Sequence, residues 1–345
     1  VRDRLRAWVR EDFDVDLVAM ARVDDGADVA AEVWRGETAD GASYAVKWSG
    51  GGSPAGLALP AWLAENAVPG IVAPMRARHG ALWSEREGRR LSLVPWVSDV
   101  GALDRGLSAR QWTAYGELMA RVHATHVTSA VSEFLPREVD AHERWVADVH
   151  ALDGRLREPA ATTSPDPLVR ALVEEWRAAT ELVSALVGAT RVLSRDAAVR
   201  NPPEVVVCHG DPHLGNLLVG DDERVWLIDW DDAVLAPRER DLLFVLGGVL
   251  DFAPVGEREQ SWFLAGYGPV DVDPVRLAYH RCVRALEDLV VPAAQVVEPD
   301  RHQDQERAEA LSIFRGVLSP TGLARRAFAS LRDLGLRPPG ADEAR

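Results

Sequence analysis

The chain has 345 residues, 47% of them hydrophobic and 27% charged, and a formal net charge of -15. That length supports a sizeable core. The acidic balance disfavours nucleic acid, whose phosphates need clustered Arg or Lys, and either attracts a cationic small molecule or serves only solubility. No apolar run reaches 18 residues, so no membrane span is expected. The first residues lack the apolar stretch of a signal peptide, and two cysteines, Cys208 and Cys282, fit a reducing compartment better than a disulfide framework. A cytoplasmic protein is the expectation.

In chain order, residues 15–34 and 42–49 approach the period-two alternation of strands, through Val29, Val33 and Trp34, then Tyr44, Val46 and Trp48. Asp40-Gly41 between them is a hairpin signal. Residues 50–54, Gly-Gly-Gly-Ser-Pro, read as a loop, and 57–67 as a short helix if Pro60 falls in its first turn. Segments 71–75, 81–84 and 90–96 read as further strands. From Ser108 the pattern turns helical. Ser108 and Gln111 form an S-x-x-Q capping box, and Trp112, Tyr115, Met119, Val122 and His126 follow at helical spacing. Residues 137–152 and 167–187 are amphipathic, with a polar loop from Pro159 to Pro167. Strand character returns at 205–208, 217–219 and 225–230, with a turn at Asp221-Asp222. Asp273-Pro274 opens a helix reaching about Val291, and helices near 303–317 and 320–334 follow. This layout predicts an α+β, two-lobed protein. Residues 1–97 form a small β-rich lobe ending in a hinge near Val94–Val97. Residues 98–345 form a larger, mainly helical lobe, with a helical segment over 104–200.

One basic residue in 39 is lysine, Lys47. It lies in Tyr44-Ala45-Val46-Lys47 on a predicted strand. A lysine is a compact point charge, unlike the planar fork of arginine. Phosphoryl transfer needs a carboxylate to receive the hydroxyl proton, a lysine on the phosphates and oxygen ligands for magnesium. The kinase arrangement supplies a strand lysine, an Asp with an Asn five residues on, and a second Asp after a hairpin. All occur here in order: Lys47, Asp211 and Asn216 in His209-Gly210-Asp211-Pro212-His213-Leu214-Gly215-Asn216, and Asp229 in Trp226-Leu227-Ile228-Asp229.

This segment resembles the aminoglycoside phosphotransferase and choline kinase family. Pro237-Arg238-Glu239-Arg240-Asp241-Leu242 looks like that family's P-x-x-x-D-L element, and the run from Leu235 is most similar to spectinomycin-phosphotransferase-like members. The resemblance implies a kinase-like fold, ATP or GTP as donor, Mg2+, and a small hydroxylated acceptor. It implies Asp211 as catalytic base, Asn216 and Asp229 as magnesium ligands, and Lys47 on the α/β-phosphates. Backbone groups around Val94 and Trp96 would read the nucleotide base. Asp241 and His209 would brace the loop, and His123 would be a core histidine. Asp25-Gly26-Ala27-Asp28 offers one glycine where protein kinases carry a glycine-rich loop. Glu65 is the one candidate acid in 48–84 for pairing with Lys47. No second His or Cys stands at zinc spacing from His213. Around a polycationic acceptor the candidate carboxylates are Asp232, Glu287 and Asp288. The motif admits an aminocyclitol phosphotransferase such as one acting on spectinomycin, a metabolic kinase of the choline, homoserine or methylthioribose type, or a non-catalytic nucleotide-binding module.

Overall fold

The structure is a computed structural model that describes residues 1–23, 31–138, 141–199, 204–250 and 252–336. The strand expected at Val29 and the Asp25–Asp28 segment lie outside the described residues. The chain divides into two compact units. The first comprises Val1–Arg137, Val205–Asp241 and Glu257–Val270, and the second Glu138–Glu204, Leu242–Gly256 and Asp271–Arg345.

The first unit opens with helix α1 (Arg2–Phe13), which the charge-rich sequence conceals. Its apolar residues Leu5, Val9 and Phe13 recur every four positions, so one stripe can be buried while the rest of the helix stays charged. A five-stranded antiparallel sheet follows, in the order β1-β2-β3-β5-β4. Its strands are β1 (Leu17–Arg22), β2 (Ala31–Thr38), β3 (Ser43–Ser49), β4 (Ser84–Arg86) and β5 (Arg89–Pro95). The stretch expected as one strand from 15 to 34 is thus two strands, paired antiparallel with each other. Segment 71–75 contributes a single bridge, Ile71 to Leu227, instead of a strand. Val46, Trp48, Leu91 and Leu93 pack with the α1 stripe into one core cluster. Burial of each such side chain is worth about 1.5–3 kcal/mol. The turn at Asp40-Gly41 joins β2 to β3, with Gly41 at φ 86°.

Helix α2 (Ala55–Glu65) carries Pro60 in its interior, not in its first turn. The unit continues through α3 (Ala102–Arg105), α4 (Ala109–His123) and α5 (Ser129–Ser132). The capping box is realised: the Ser108 side chain accepts the Gln111 N–H, and the Gln111 side chain accepts the Ser108 N–H.

In the second unit, α6 (Ala141–Arg157), α7 (Pro159–Thr162) and α8 (Pro167–Val199) come first in sequence. The polar loop expected after Pro159 therefore holds a short helical turn. The chain then returns to the first unit for β6 (Val205–Cys208), β7 (Leu217–Val219), β8 (Val225–Leu227) and β9 (Val234–Pro237). β6 pairs with β9 and β7 with β8. Helix α9 (Glu239–Leu246) spans the boundary in sequence, and α10 (Glu257–Tyr267) belongs to the first unit. Helices α11 (Pro274–Val296), α12 (Asp304–Leu318) and α13 (Leu323–Asp333) complete the second unit. Asp273 caps α11 by accepting the Val275 and Arg276 N–H groups, and Pro274 at the first position lacks the donor a cap would need to satisfy. One cluster of buried side chains from α6, α8, α9 and α11–α13 forms this unit's core. Buried Arg307 links Asp166 and Asp304 to the Val296 carbonyl within it.

Candidate active site

The first unit gathers the motif residues. On β3, Val46 and Trp48 are buried in the α1 core, so the pleat turns Lys47 to the opposite face of the sheet. Its ammonium lies 2.7 Å from Asp231 Oδ2 and 3.6 Å from Asp229 Oδ1. Glu65 is engaged elsewhere: its carboxylate is 2.7 Å from Arg76. Asp231 is a partner the sequence reading overlooked, because nothing local joins positions 47 and 231.

The catalytic-type loop leaves β6 at His209, a fully buried residue. The His209 Nε2 lies 3.0 Å from the Ile228 carbonyl, and Nδ1 accepts the Asp211 N–H at 3.2 Å. A carbonyl only accepts, so Nε2 carries the proton and Nδ1 is the bare nitrogen. Burial holds the pKa of this imidazole below its usual value, against the opposing charge of Asp241. Gly210 follows at φ 90°, and a Cβ there would run into the Asp232 carbonyl. Both the backbone sign and the space demand glycine. Asp211 comes next, with His213 Nε2 3.3 Å from its Oδ2. The His213 Nδ1 accepts the Gly215 N–H at 2.9 Å, so the proton faces Asp211. Asn216 donates its side-chain amide to the Asp211 carbonyl at 2.8 Å.

Asp241 lies beneath this loop. Its Oδ2 accepts the His209 N–H and its Oδ1 the Gly210 N–H, both at 2.8 Å. His123 Nε2 is 3.0 Å from Oδ2, and His123 Nδ1 is 2.6 Å from the Tyr267 hydroxyl. Burial acts to raise the Asp241 pKa, but the bond from His123, with His209 and the Gly210 N–H, turns the shift downward. Burial pushes the Tyr267 phenol up to about 12, against nearby Arg238. His123, Cys208 and Asp241 bring ligand-type atoms within 4.8 Å of one another. The Asp241 oxygens already receive three N–H donors, so this cluster is a closed hydrogen-bond network. Tyr115, also buried, donates its hydroxyl to the Pro212 carbonyl at 2.5 Å. Burial, then the charges of Asp241 and Asp211, holds this phenol protonated, well above its usual range.

Strand β8 ends at Leu227, three residues short of the 225–230 that the sequence suggests. The Ile228 N–H donates to the Asn216 carbonyl at 2.9 Å, which joins the β7–β8 hairpin to the loop. Asp229 follows at φ 61°, a left-handed conformation that Asp adopts more readily than bulkier residues. Asp232 is exposed. Glu287 and Asp288 lie on α11 in the second unit, where the Asp288 carboxylate accepts from Arg284 Nε at 2.7 Å.

In the hinge segment, Val94 pairs with Ala45 across β5 and β3, and the Trp96 N–H donates to the Ser43 carbonyl at 2.8 Å. By the alternation of an antiparallel ladder, Val94 and Trp96 turn their backbone groups toward β3, whereas Pro95 turns its carbonyl the other way. The Trp96 indole N–H is held by Asp99.

A sheet-borne lysine, an Asp with an Asn five residues on in a braced loop, and a second Asp after the next hairpin follow the order of the kinase-like phosphotransferases. The chain belongs to the phosphotransferase enzyme family, which matches residues 22–278. The crystal structure of spectinomycin phosphotransferase APH(9)-Ia in complex with ADP and spectinomycin superposes with a TM-score of 0.83. It is 26% identical, and the match covers 95% of this chain and 98% of that one. A choline/ethanolamine kinase family protein from Mesorhizobium loti shares the fold, at a TM-score of 0.56 and 15% identity over 96% and 99% of the two chains. An uncharacterized Synechocystis protein, sll1119, is 28% identical over 234 residues. That match covers 67% of this chain and 58% of the length of the Synechocystis protein. Among the described residues no helix is long and apolar enough to cross a membrane.

Proposed function

We propose that this chain transfers the γ-phosphoryl group of ATP or GTP to a hydroxyl of a small molecule, and that the acceptor is an aminocyclitol of the spectinomycin type. The observation that carries the reading is the frame of hydrogen bonds joining Asp211, Asn216 and Ile228 next to Asp229, with Lys47 3.6 Å from that carboxylate. In the reaction the acceptor oxygen bonds to the γ-phosphorus, the bond to the β–γ bridging oxygen breaks, and the acceptor proton passes to Asp211. Asp211 is suited to this because His213, Asn216 and Tyr115 fix its loop by separate bonds. Positioning and charge stabilisation supply most of the rate.

Lys47 binds the α/β-phosphates. Asn216 spends its amide N–H on the Asp211 carbonyl, which leaves its amide oxygen as the acceptor. With the Asp229 carboxylate this is a hard oxygen set suited to Mg2+. Bound there, Mg2+ would neutralise phosphate charge. The outward carbonyl of Pro95 and the adjoining Val97 N–H are the hinge groups for the base. The acceptor preference rests on the 26% identity to spectinomycin phosphotransferase over nearly the whole chain, and on exposed Asp232, which suits a cationic ring.

The test is incubation with Mg·ATP or Mg·GTP and a panel of spectinomycin, other aminocyclitols, choline and homoserine, read by mass spectrometry for a phosphorylated product. Spectinomycin is expected to gain one phosphoryl group. Asp211→Ala is expected to lower turnover by about 10²–10⁴-fold with nucleotide binding retained. Product from choline or homoserine alone would refute the acceptor, and unchanged turnover in Asp211→Ala would refute the mechanism.

A further inference from the structure

We propose that Asp231 is the positioning residue of Lys47, and that the loop from Gly50 to Pro54 together with the start of α2 clamps it in that role. This rests on the phosphotransferase reading above, since it concerns how the phosphate-binding lysine is aimed. A strand lysine that binds phosphates needs a carboxylate to hold its long side chain in one rotamer. The one candidate helix acid, Glu65, is committed to Arg76. Asp231 stands in its place at 2.7 Å from Lys47 Nζ. An ammonium has three N–H donors, so one can remain on Asp231 while others reach phosphate oxygens.

The clamp is visible on the far side of the carboxylate. The first N–H groups of helix α2 are met locally, since the Ser53 side chain accepts from Ala55 and the Ser53 carbonyl from Gly56, and the Ser53 N–H just ahead of the helix turns to Asp231. Asp231 Oδ1 accepts the Ser53 N–H at 3.3 Å and lies at the positive end of the helix. Gly52 and Gly56 press against the same carboxylate. A Cβ at Gly52 would sit 2.6 Å from Asp231 Oδ1, and one at Gly56 would overlap that oxygen outright. At these two close approaches the chain has a glycine, which leaves room for the carboxylate.

A carboxylate bound to a phosphate-type lysine could have the opposite purpose, occupying the place of the phosphate until nucleotide displaces it. The geometry favours the positioning role. A displaceable group needs somewhere to go, and the glycine wall with the Ser53 N–H fixes Asp231 independently of Lys47. Asp231 also follows Asp229 by two residues, so a single turn sets both the lysine and the carboxylate proposed for Mg2+.

The test is calorimetric titration of the full chain with Mg·ADP. Wild type is expected to bind. Asp231→Asn and Lys47→Met are each expected to weaken binding about tenfold, and the double variant no further than the weaker single, the non-additivity of two residues acting as a unit. Gly56→Ala keeps the carboxylate and adds a good helix former, yet is expected to weaken binding in the same direction by pushing Asp231 off the lysine. It carries the test should Asp231→Asn fail to fold. Binding by Asp231→Asn or Gly56→Ala as tight as or tighter than wild type would overturn the proposal, as would Asp231 and Lys47 effects that multiply in the double variant. Absence of Mg·ADP binding by wild type would instead overturn the phosphotransferase reading itself.

Discussion

Replacing Asp241 should loosen the loop that carries Asp211, by an amount that follows from its contacts. Asp241 is 1% exposed. It accepts the His209 and Gly210 N–H groups at 2.8 Å each, and His123 Nε2 lies 3.0 Å away. Asp241→Ala leaves three buried donors without an acceptor. A buried donor left unsatisfied costs about 1–3 kcal/mol, so with three of them the variant should lose about 3–9 kcal/mol. Whole domains are stable by about 5–15 kcal/mol, which puts the variant near the edge of folding. Asp241→Asn keeps the shape and one acceptor oxygen but turns an NH2 group toward a donor, for a loss of about 2–3 kcal/mol. With a slope of about 3 kcal/mol/M, the urea midpoint should fall by about 1–3 M for the alanine variant. The local signature is faster amide exchange in a peptide covering 205–216, read by hydrogen–deuterium exchange mass spectrometry. Wild-type protection across that peptide together with an unchanged midpoint would refute the bracing argument, because the two backbone donors would then have found other acceptors.

Two further outcomes follow from the same region. The folded-state pKa of His209 is lowered by burial, while an unfolded histidine titrates near 6.5. Below that pH the unfolded chain takes up a proton the folded chain refuses, so stability falls as pH drops, by at most about 1.4 kcal/mol per pH unit. His209→Gln should flatten this dependence between pH 6.5 and 5, and an identical slope in both proteins would count against it. Asp241 acts lower: its depressed pKa gives stability that is full above the unfolded carboxylate value of about 3.9 and is lost as pH falls through the folded value. A Cβ at Gly116 of α4 would drive into the Phe263 carbonyl of α10, whereas one at Gly154 of α6 meets nothing within 4 Å. Gly116→Ala should therefore destabilise by about 1–3 kcal/mol and Gly154→Ala stabilise by about 0.5–1 kcal/mol. Thermal melts moving in the same direction for both would contradict the close helix approach.

The helices that carry their own punctuation were legible from residues alone. α4 has its capping box at Ser108 and Gln111, and α11 has Asp273 before Pro274. The order of Lys47, Asp211, Asn216 and Asp229 was legible for a different reason: the proposed chemistry needs the last three on a loop and its adjoining hairpin at short spacing, and the chain has one lysine, on a strand. Elements held by distant partners were hidden. Helix α1 is mostly charged and shows itself through Leu5, Val9 and Phe13 once the sheet covers them. Strand β9 is four residues long and exists through its pairing with β6, Val205 opposite Pro237. Helix α9 begins two residues after β9 ends, and neither α9 nor α10 has a Ser, Thr, Asp or Asn immediately before it to mark a start.

The sequence by itself determined which atoms are available: one lysine, a His-Gly-Asp loop with an asparagine five residues on, and a carboxylate after the next hairpin. The tertiary structure decided which of them meet. It gave Lys47 to Asp231 across 184 positions of sequence and sent Glu65 to Arg76. It also set Asp241 under a loop whose backbone donors it satisfies from 31 and 32 residues away. Such pairings depend on how sheet, helix and loop close on one another, and periodicity and local spacing carry no record of that closure.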